Sequence, residues 1–276
     1  MSLKKFFKFI TVEFLYNGHL QSLGAVCVVL FSSLLFNINC NLFEYLSVYL
    51  VFYLIYLYNR YKEKEHDSLT NKIRVQHINL IGKHIKLVFA SVFLLLTFLL
   101  IQESNYKLTG ILIIIFVFGI LYTIFFKNLT KKFLAFKNFY VASVFSLLVF
   151  YPFFINDLLI NIWALMIAMF IFLRAFKAQI ILDLKDIASD SQAGILTFGV
   201  VFGKKKTIKL ILVVSFLTSF LAFILLFYKF IWGVYLLCFC LLFDGLYYYF
   251  LEKNSKTAFL LAGGEFIFLA PFSLSV

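Results

Sequence analysis

Long apolar runs, separated by short polar ones, organise this chain. Stretches long enough to cross a bilayer fall at about 20–38, 42–58, 85–102, 109–126, 138–155, 158–180, 207–227, 230–250 and 257–275. They predict an all-α, polytopic membrane protein: nine transmembrane helices in two four-helix halves plus one, forming a single integral-membrane domain over 1–276. Ahead of them, Leu3, Phe7, Ile10 and Phe14 recur at helical spacing. Residues 1–19 are therefore expected to form an amphipathic helix lying in the membrane interface. Only Pro152 and Pro271 occur, so the spans read as mostly unbroken, unlike the interrupted helices of many secondary transporters.

Composition agrees with the pattern. At 63% hydrophobic and 14% charged residues, the chain lacks the polar surface that a soluble domain needs. The net charge of +12 invites a nucleic-acid partner, but its distribution gives a simpler account. Of the 25 Lys and Arg, all but Lys107 and Lys229 fall on segments that nine spans would place on one side. That asymmetry puts the N-terminus inside and makes the bilayer, not nucleic acid, the partner. The long polar connections near 59–84 and 177–206 also lie on that side, so they form cytoplasmic cap segments and the chemistry faces the cytoplasm. In a bacterium this would be the inner membrane. Lys4, Lys5 and Lys8 resemble the start of a signal peptide, but no small-residue cleavage site follows. The four cysteines lie in or beside apolar runs without a CxxC, which reads as core packing and implies neither disulfide nor zinc.

Candidate chemistry sits in the two caps. In Asp183–Thr197, DLKDIASDSQAGILT, the carboxylates Asp183, Asp186 and Asp190 stand at i, i+3 and i+7, one face of a continuous helix. Like charges so placed repel unless cations sit among them. Upstream, Asn59, Glu63 and Asp67 stand at i, i+4 and i+8 and share a face if the second span continues past the membrane. These are oxygen ligands only, a set that suits Mg²⁺ completed by water and substrate phosphate. Two such clusters meeting at one cytoplasmic mouth would neutralise a diphosphate leaving group from both sides. The bland alternative for each cluster is ordinary juxtamembrane charge.

Together these residues resemble the UbiA superfamily of intramembrane prenyltransferases, whose first motif is NDxxDxxxD and whose second is DxxDxxxD followed by G and T. Gly194, Thr197, Phe198 and Gly203 continue the second motif, and Gly119-Ile-Leu-Tyr122-Thr with Lys137-Asn138 is similar to a further family stretch. The resemblance implies Mg²⁺-dependent transfer of a polyprenyl group from its diphosphate to an aromatic or other small acceptor. Asn59, Glu63 and Asp67 would hold one Mg²⁺, and Asp186 and Asp190 the other, with Asp183 in support. Arg74 and Lys137 are the preferred cations for the diphosphate among Arg74, Lys131, Lys132, Lys137, Lys177 and Lys185. For each, the plain alternative is a topology or headgroup lysine. Tyr122 and Phe126 would shield the allylic cation from water. Two departures stand out: Arg60 replaces the usual Asp after Asn59, and Glu63 replaces the next Asp. Arg60 is expected to pair with the diphosphate, or to mark a divergent member acting as a terpene cyclase, on a polyol- or sugar-phosphate acceptor, or without catalysis. A CDP-alcohol phosphotransferase is disfavoured because its motif needs a Gly and an Arg that are missing after Asp186. Asp244 and Glu265 lie inside the last two predicted spans, where acids orient an acceptor or bond neighbouring helices.

Overall fold

The structure is a computed structural model that describes residues 3–68, 71–253 and 256–270. Among these it is helical throughout. In chain order the helices are α1 (Leu3–Tyr16), α2 (His19–Phe36), α3 (Leu42–Lys62), α4 (Lys64–Asp67), α5 (Lys72–Ile81), α6 (Ile85–Glu103) and α7 (Tyr106–Ile124). They continue as α8 (Phe136–Leu147), α9 (Tyr151–Ile155), α10 (Ile162–Asp183), α11 (Ile187–Gln192), α12 (Phe198–Leu225), α13 (Phe230–Glu252) and α14 (Thr257–Gly264), with short 3₁₀ turns such as Phe126–Lys131 and Glu265–Leu269 between or after them.

Among the described residues, eight segments are long and apolar enough to span a membrane: α2, α3, α6, α7, Phe136–Ile155, α10, α12 and α13. The ninth predicted span appears as the shorter apolar helix Thr257–Leu269, and the end of that prediction, 271–275, lies outside the described residues. Asparagine and threonine caps start several spans. Asn41 and Glu44 form a reciprocal capping box at α3, Asn161 accepts the Ala164 amide at α10, and Thr197 caps α12. Glu44, at the start of that span, thus has its role in the cap.

The chain divides into two compact units, Met1–Val26 with Asn41–Lys127, and Cys27–Cys40 with Asn128–Val276. In the first, α3 packs on α6 and α7, and α5 packs on α1 and α4. Apolar side chains of α6 and α7 such as Leu94, Phe98, Ile114 and Phe118 are exposed, as lipid-facing positions are. The apolar stripe of α1 is likewise turned outward, with Phe7, Ile10 and Phe14 exposed, which is the disposition of an interfacial helix. Gly18 makes the turn from α1 into α2 possible. Its φ is +101°, and a Cβ there would stand 2.7 Å from the Tyr56 Cβ, so only glycine fits. In the second unit, α10 packs against α8, α12 and α14, and α12 against α13; Phe170, Ile171 and Ile181 of α10 lie in its core.

Candidate active site

The first motif lies at the C-terminal end of α3. Asn59 Oδ1 accepts a hydrogen bond from the Thr123 hydroxyl of α7 at 3.3 Å. Gly119, one turn earlier on α7, permits that approach: a Cβ there would stand 2.5 Å from Ile55. The helix does not continue as the spacing predicted. Its last residue is Lys62, and Glu63 is the C-cap, with ψ near 4° and its amide bonded to the Asn59 carbonyl. A new one-turn helix, α4, then carries Asp67. The break abolishes the single straight face assumed for Asn59, Glu63 and Asp67. The Asp67 side chain lies outside the described residues. Arg60 is 7% exposed, with its guanidinium donating to Gln21 Oε1 at 3.2 Å and standing over the Tyr56 ring. It ties α3 to the start of α2. Tyr122 is half-buried on α7, and Arg74 is half-buried on α5.

The second motif is also broken into pieces. Asp183 is the last residue of α10, Asp186 is the N-cap of α11, and Asp190 closes the first turn of α11. Between them the Leu184, Lys185 and Asp186 amides bond to carbonyls three residues back, so the chain tightens to 3₁₀ pitch. At that pitch positions i and i+3 eclipse, so Asp183 and Asp186 keep similar directions, and Asp190 follows one α-helical turn after Asp186. Asp183 is buried and fully engaged: Oδ1 accepts from Lys137 Nζ at 3.1 Å and Oδ2 from Asn138 Nδ2 at 2.8 Å. Lys137 and Asn138 lie in the first turn of α8, so two adjacent donors address the two oxygens of one carboxylate. Lys137 remains about one-third exposed, held by its salt bridge. Two backbone bonds fix the loop after the motif: the Leu196 amide to the Thr130 carbonyl and the Ala135 amide to the Leu196 carbonyl. Lys185 stands 4.0 Å from Asp186 Oδ2, and Lys131 and Lys132 are exposed. Among the described residues no three His, Cys, Asp or Glu side chains gather closely enough to hold a metal ion by themselves.

Lys177, expected at the substrate, is fully buried on α10, bonded to Asp244 and to the Ser215 hydroxyl at 3.4 Å. One turn earlier, Arg174 is also fully buried. Its guanidinium forks onto Glu265 and bonds Asp244 at 2.7 Å, while the Tyr247 hydroxyl donates to the other Glu265 oxygen at 2.6 Å. Two cations and two carboxylates thus neutralise each other inside the span region. The two acids prove to be helix-bonding groups. Arg174 had been counted with the inner-side topology charges; the signal that separates it is its place, with Lys177, on the apolar turns before Asp183.

The family model described as the UbiA prenyltransferase family matches residues 24–269. Two solved structures of a UbiA homolog from Archaeoglobus fulgidus, one bound to DMAPP and Mg²⁺ and one to GPP and Mg²⁺, are each 17% identical. Each likeness covers 95% of this chain, and 99% and 100% of the respective homolog chains, with TM-scores of 0.61 and 0.62. A structure of digeranylgeranylglyceryl phosphate synthase is 16% identical, covering 97% of this chain and 96% of its own, with a TM-score of 0.53. No curated protein matches the chain. At these identities the structural likeness is one of fold.

Proposed function

The chain belongs to the UbiA prenyltransferase family, and from that premise we propose that it transfers a polyprenyl group from polyprenyl diphosphate to a small acceptor, with Mg²⁺ as cofactor and the site facing the cytoplasm. The Archaeoglobus homolog structures that hold prenyl diphosphates with Mg²⁺ support the donor and the ion. The donor set fits that ion. Asp186 and Asp190 are joined by one backbone bond of 2.8 Å, amide to carbonyl, and offer two carboxylates with neither histidine nor cysteine grouped beside them. Asp183 is engaged by Lys137 and Asn138 and stands in support. Two carboxylates without a closed protein cage suit Mg²⁺, which keeps positions for water and substrate phosphate. Asp186 and Asp190 would hold one ion, and Asn59, Glu63 and Asp67 the other. When bound, the ions take up negative charge that develops on the leaving diphosphate.

This chain's own residues do the rest. Lys137, pinned by Asp183, presents a fixed ammonium to the phosphate oxygens, and Arg74 and Lys185 add charge. Tyr122 and Phe126 keep water from the allylic cation until the acceptor attacks. Arg60 and Lys177 serve structure in this scheme, since both are buried against protein partners. The observation that carries the proposal is the Asp183 lock, which holds a cation and the second acidic motif in one rigid arrangement. The test is diphosphate release from polyprenyl diphosphate by the purified protein, with and without Mg²⁺ and acceptor. Release should need Mg²⁺ and disappear in Asp67→Ala and in Asp190→Ala while both variants stay folded in detergent. Near-normal transfer by either would end the two-cluster mechanism, and release without any acceptor, with a cyclised hydrocarbon as the product, would mark a cyclase.

A further inference from the structure

We propose that Glu13 and His77 form a latch between the interfacial helix α1 and the cap helix α5, positioning Arg74 and the first motif for the diphosphate of the donor. The proposal rests on the function proposed above.

Glu13 is the only acid on α1, and four side chains converge on it. Oε1 accepts from Asn17 Nδ2 at 2.7 Å, from His19 Nε2 at 3.2 Å and from the Tyr53 hydroxyl at 3.3 Å. Oε2 accepts from His77 Nε2. A carboxylate only accepts, so both imidazoles must carry the proton on Nε2. On the far side of His19, Nδ1 lies 2.5 Å from the Tyr49 hydroxyl. The His77 ring also packs on Phe9 of α1, with centroids 4.8 Å apart.

This matters because the buried part of α5 is small. Of its residues, His77 and Ile78 alone are buried, while Lys72, Ile73, Gln76, Asn79 and Leu80 are exposed. Arg74 lies three residues before His77 and four before Ile78, on the same face. The same helix packs on α4, whose last residue is Asp67. Whatever fixes His77 therefore fixes the face that presents Arg74 and supports the turn that carries Asp67. Glu13 and His77 are positioning residues in this scheme, and neither touches substrate.

Two measurements on the full chain test it. Amide hydrogen exchange over 72–81 should accelerate at least about tenfold in Glu13→Gln and in His77→Gln, with α6 and α7 unchanged as an internal control. Binding of inorganic pyrophosphate with Mg²⁺, followed by calorimetry, should weaken about tenfold in the same variants and in Arg74→Ala. The double variant His77→Gln/Arg74→Ala should lose less than the two single losses combined, because part of the latch's effect passes through that arginine. Unchanged exchange over 72–81, unchanged pyrophosphate affinity, or additive losses in the double variant would each overturn the proposal. A wild-type protein that binds no pyrophosphate would remove the functional premise and the role of Arg74, while the exchange data would still decide whether the latch exists.

Discussion

In the proposed site Asp183 serves by holding its neighbours, without touching the ligand. Both oxygens are spent on Lys137 and Asn138, so Asp183→Asn presents an amide N–H to one of two donors. Donor kcat/KM is expected to fall by roughly 10–100-fold in that variant, the range for supporting groups, with a loss of stability of about 1–3 kcal/mol from the buried donor left unmatched. Glu13 offers a second residue-level prediction, now about pH. Burial pushes its carboxyl up, but the hydrogen bonds from His19, His77 and Asn17 outweigh that and hold it at about 2, below the ordinary 4.5. A depressed pKa adds stability that is complete above 4.5 and is lost as pH falls towards 2. Exchange protection of α1 and α5 should thus be flat with respect to this carboxyl from pH 7 to 5 and decay only below about 4.5. Residues 183, 137 and 138 could be singled out beforehand because a family pattern marks them. Glu13 could not, since one acid on an amphipathic helix looks like surface charge and its partner His77 lies 64 positions away.

At the level of elements, apolar periodicity located the spans well because burial in lipid demands long uninterrupted runs. It located their motif-bearing ends poorly. The i, i+4, i+8 spacing of Asn59, Glu63 and Asp67 fits a continuous helix, yet α3 stops at Lys62 and no glycine or proline marks the place. The second motif tightens at 184–186 for equally unmarked reasons, and α10 runs on to Asp183, past the predicted end of its span at 180. At the other end of a helix the signal was also ambiguous: α12 starts at Phe198, not 207, and departs from helical geometry at Gly203, where φ is +74°. The turn at Gly18 is a sharper determinant. Gly18→Ala combines an unfavourable φ with a 2.7 Å approach to Tyr56, so it should cost at least about 1 kcal/mol. The cost should appear as a lower unfolding temperature in detergent and as loosening of α1.

For the molecule as a whole, the cluster of Arg174, Lys177, Asp244, Tyr247 and Glu265 links three stretches of the second unit that lie far apart in sequence. Glu265→Ala leaves Arg174 with Asp244 alone in a fully buried setting, and losses of this kind run to about 3–5 kcal/mol. Replacing Arg174 and Glu265 together by Met and Leu should recover most of that loss, because an apolar pair leaves no orphaned charge. Thermal unfolding in detergent reads both. The sequence disclosed the acids but not their partners, since lysine and arginine near a span end serve equally as topology signals.

That cluster also bears on how the protein is made. Arginine or lysine at the centre of a lone helix costs about 2.5–3.5 kcal/mol on insertion, and α10 carries one of each. The ribosome delivers α10 well before Asp244 and Glu265 exist. During that interval the helix must linger at the translocon or snorkel its cations to the interface, until Asp244 arrives to bond both of them and Glu265 completes the pairing of Arg174. Chains halted before residue 265 should therefore be recognised and degraded by membrane quality control, even though most of the predicted site would already have been synthesised.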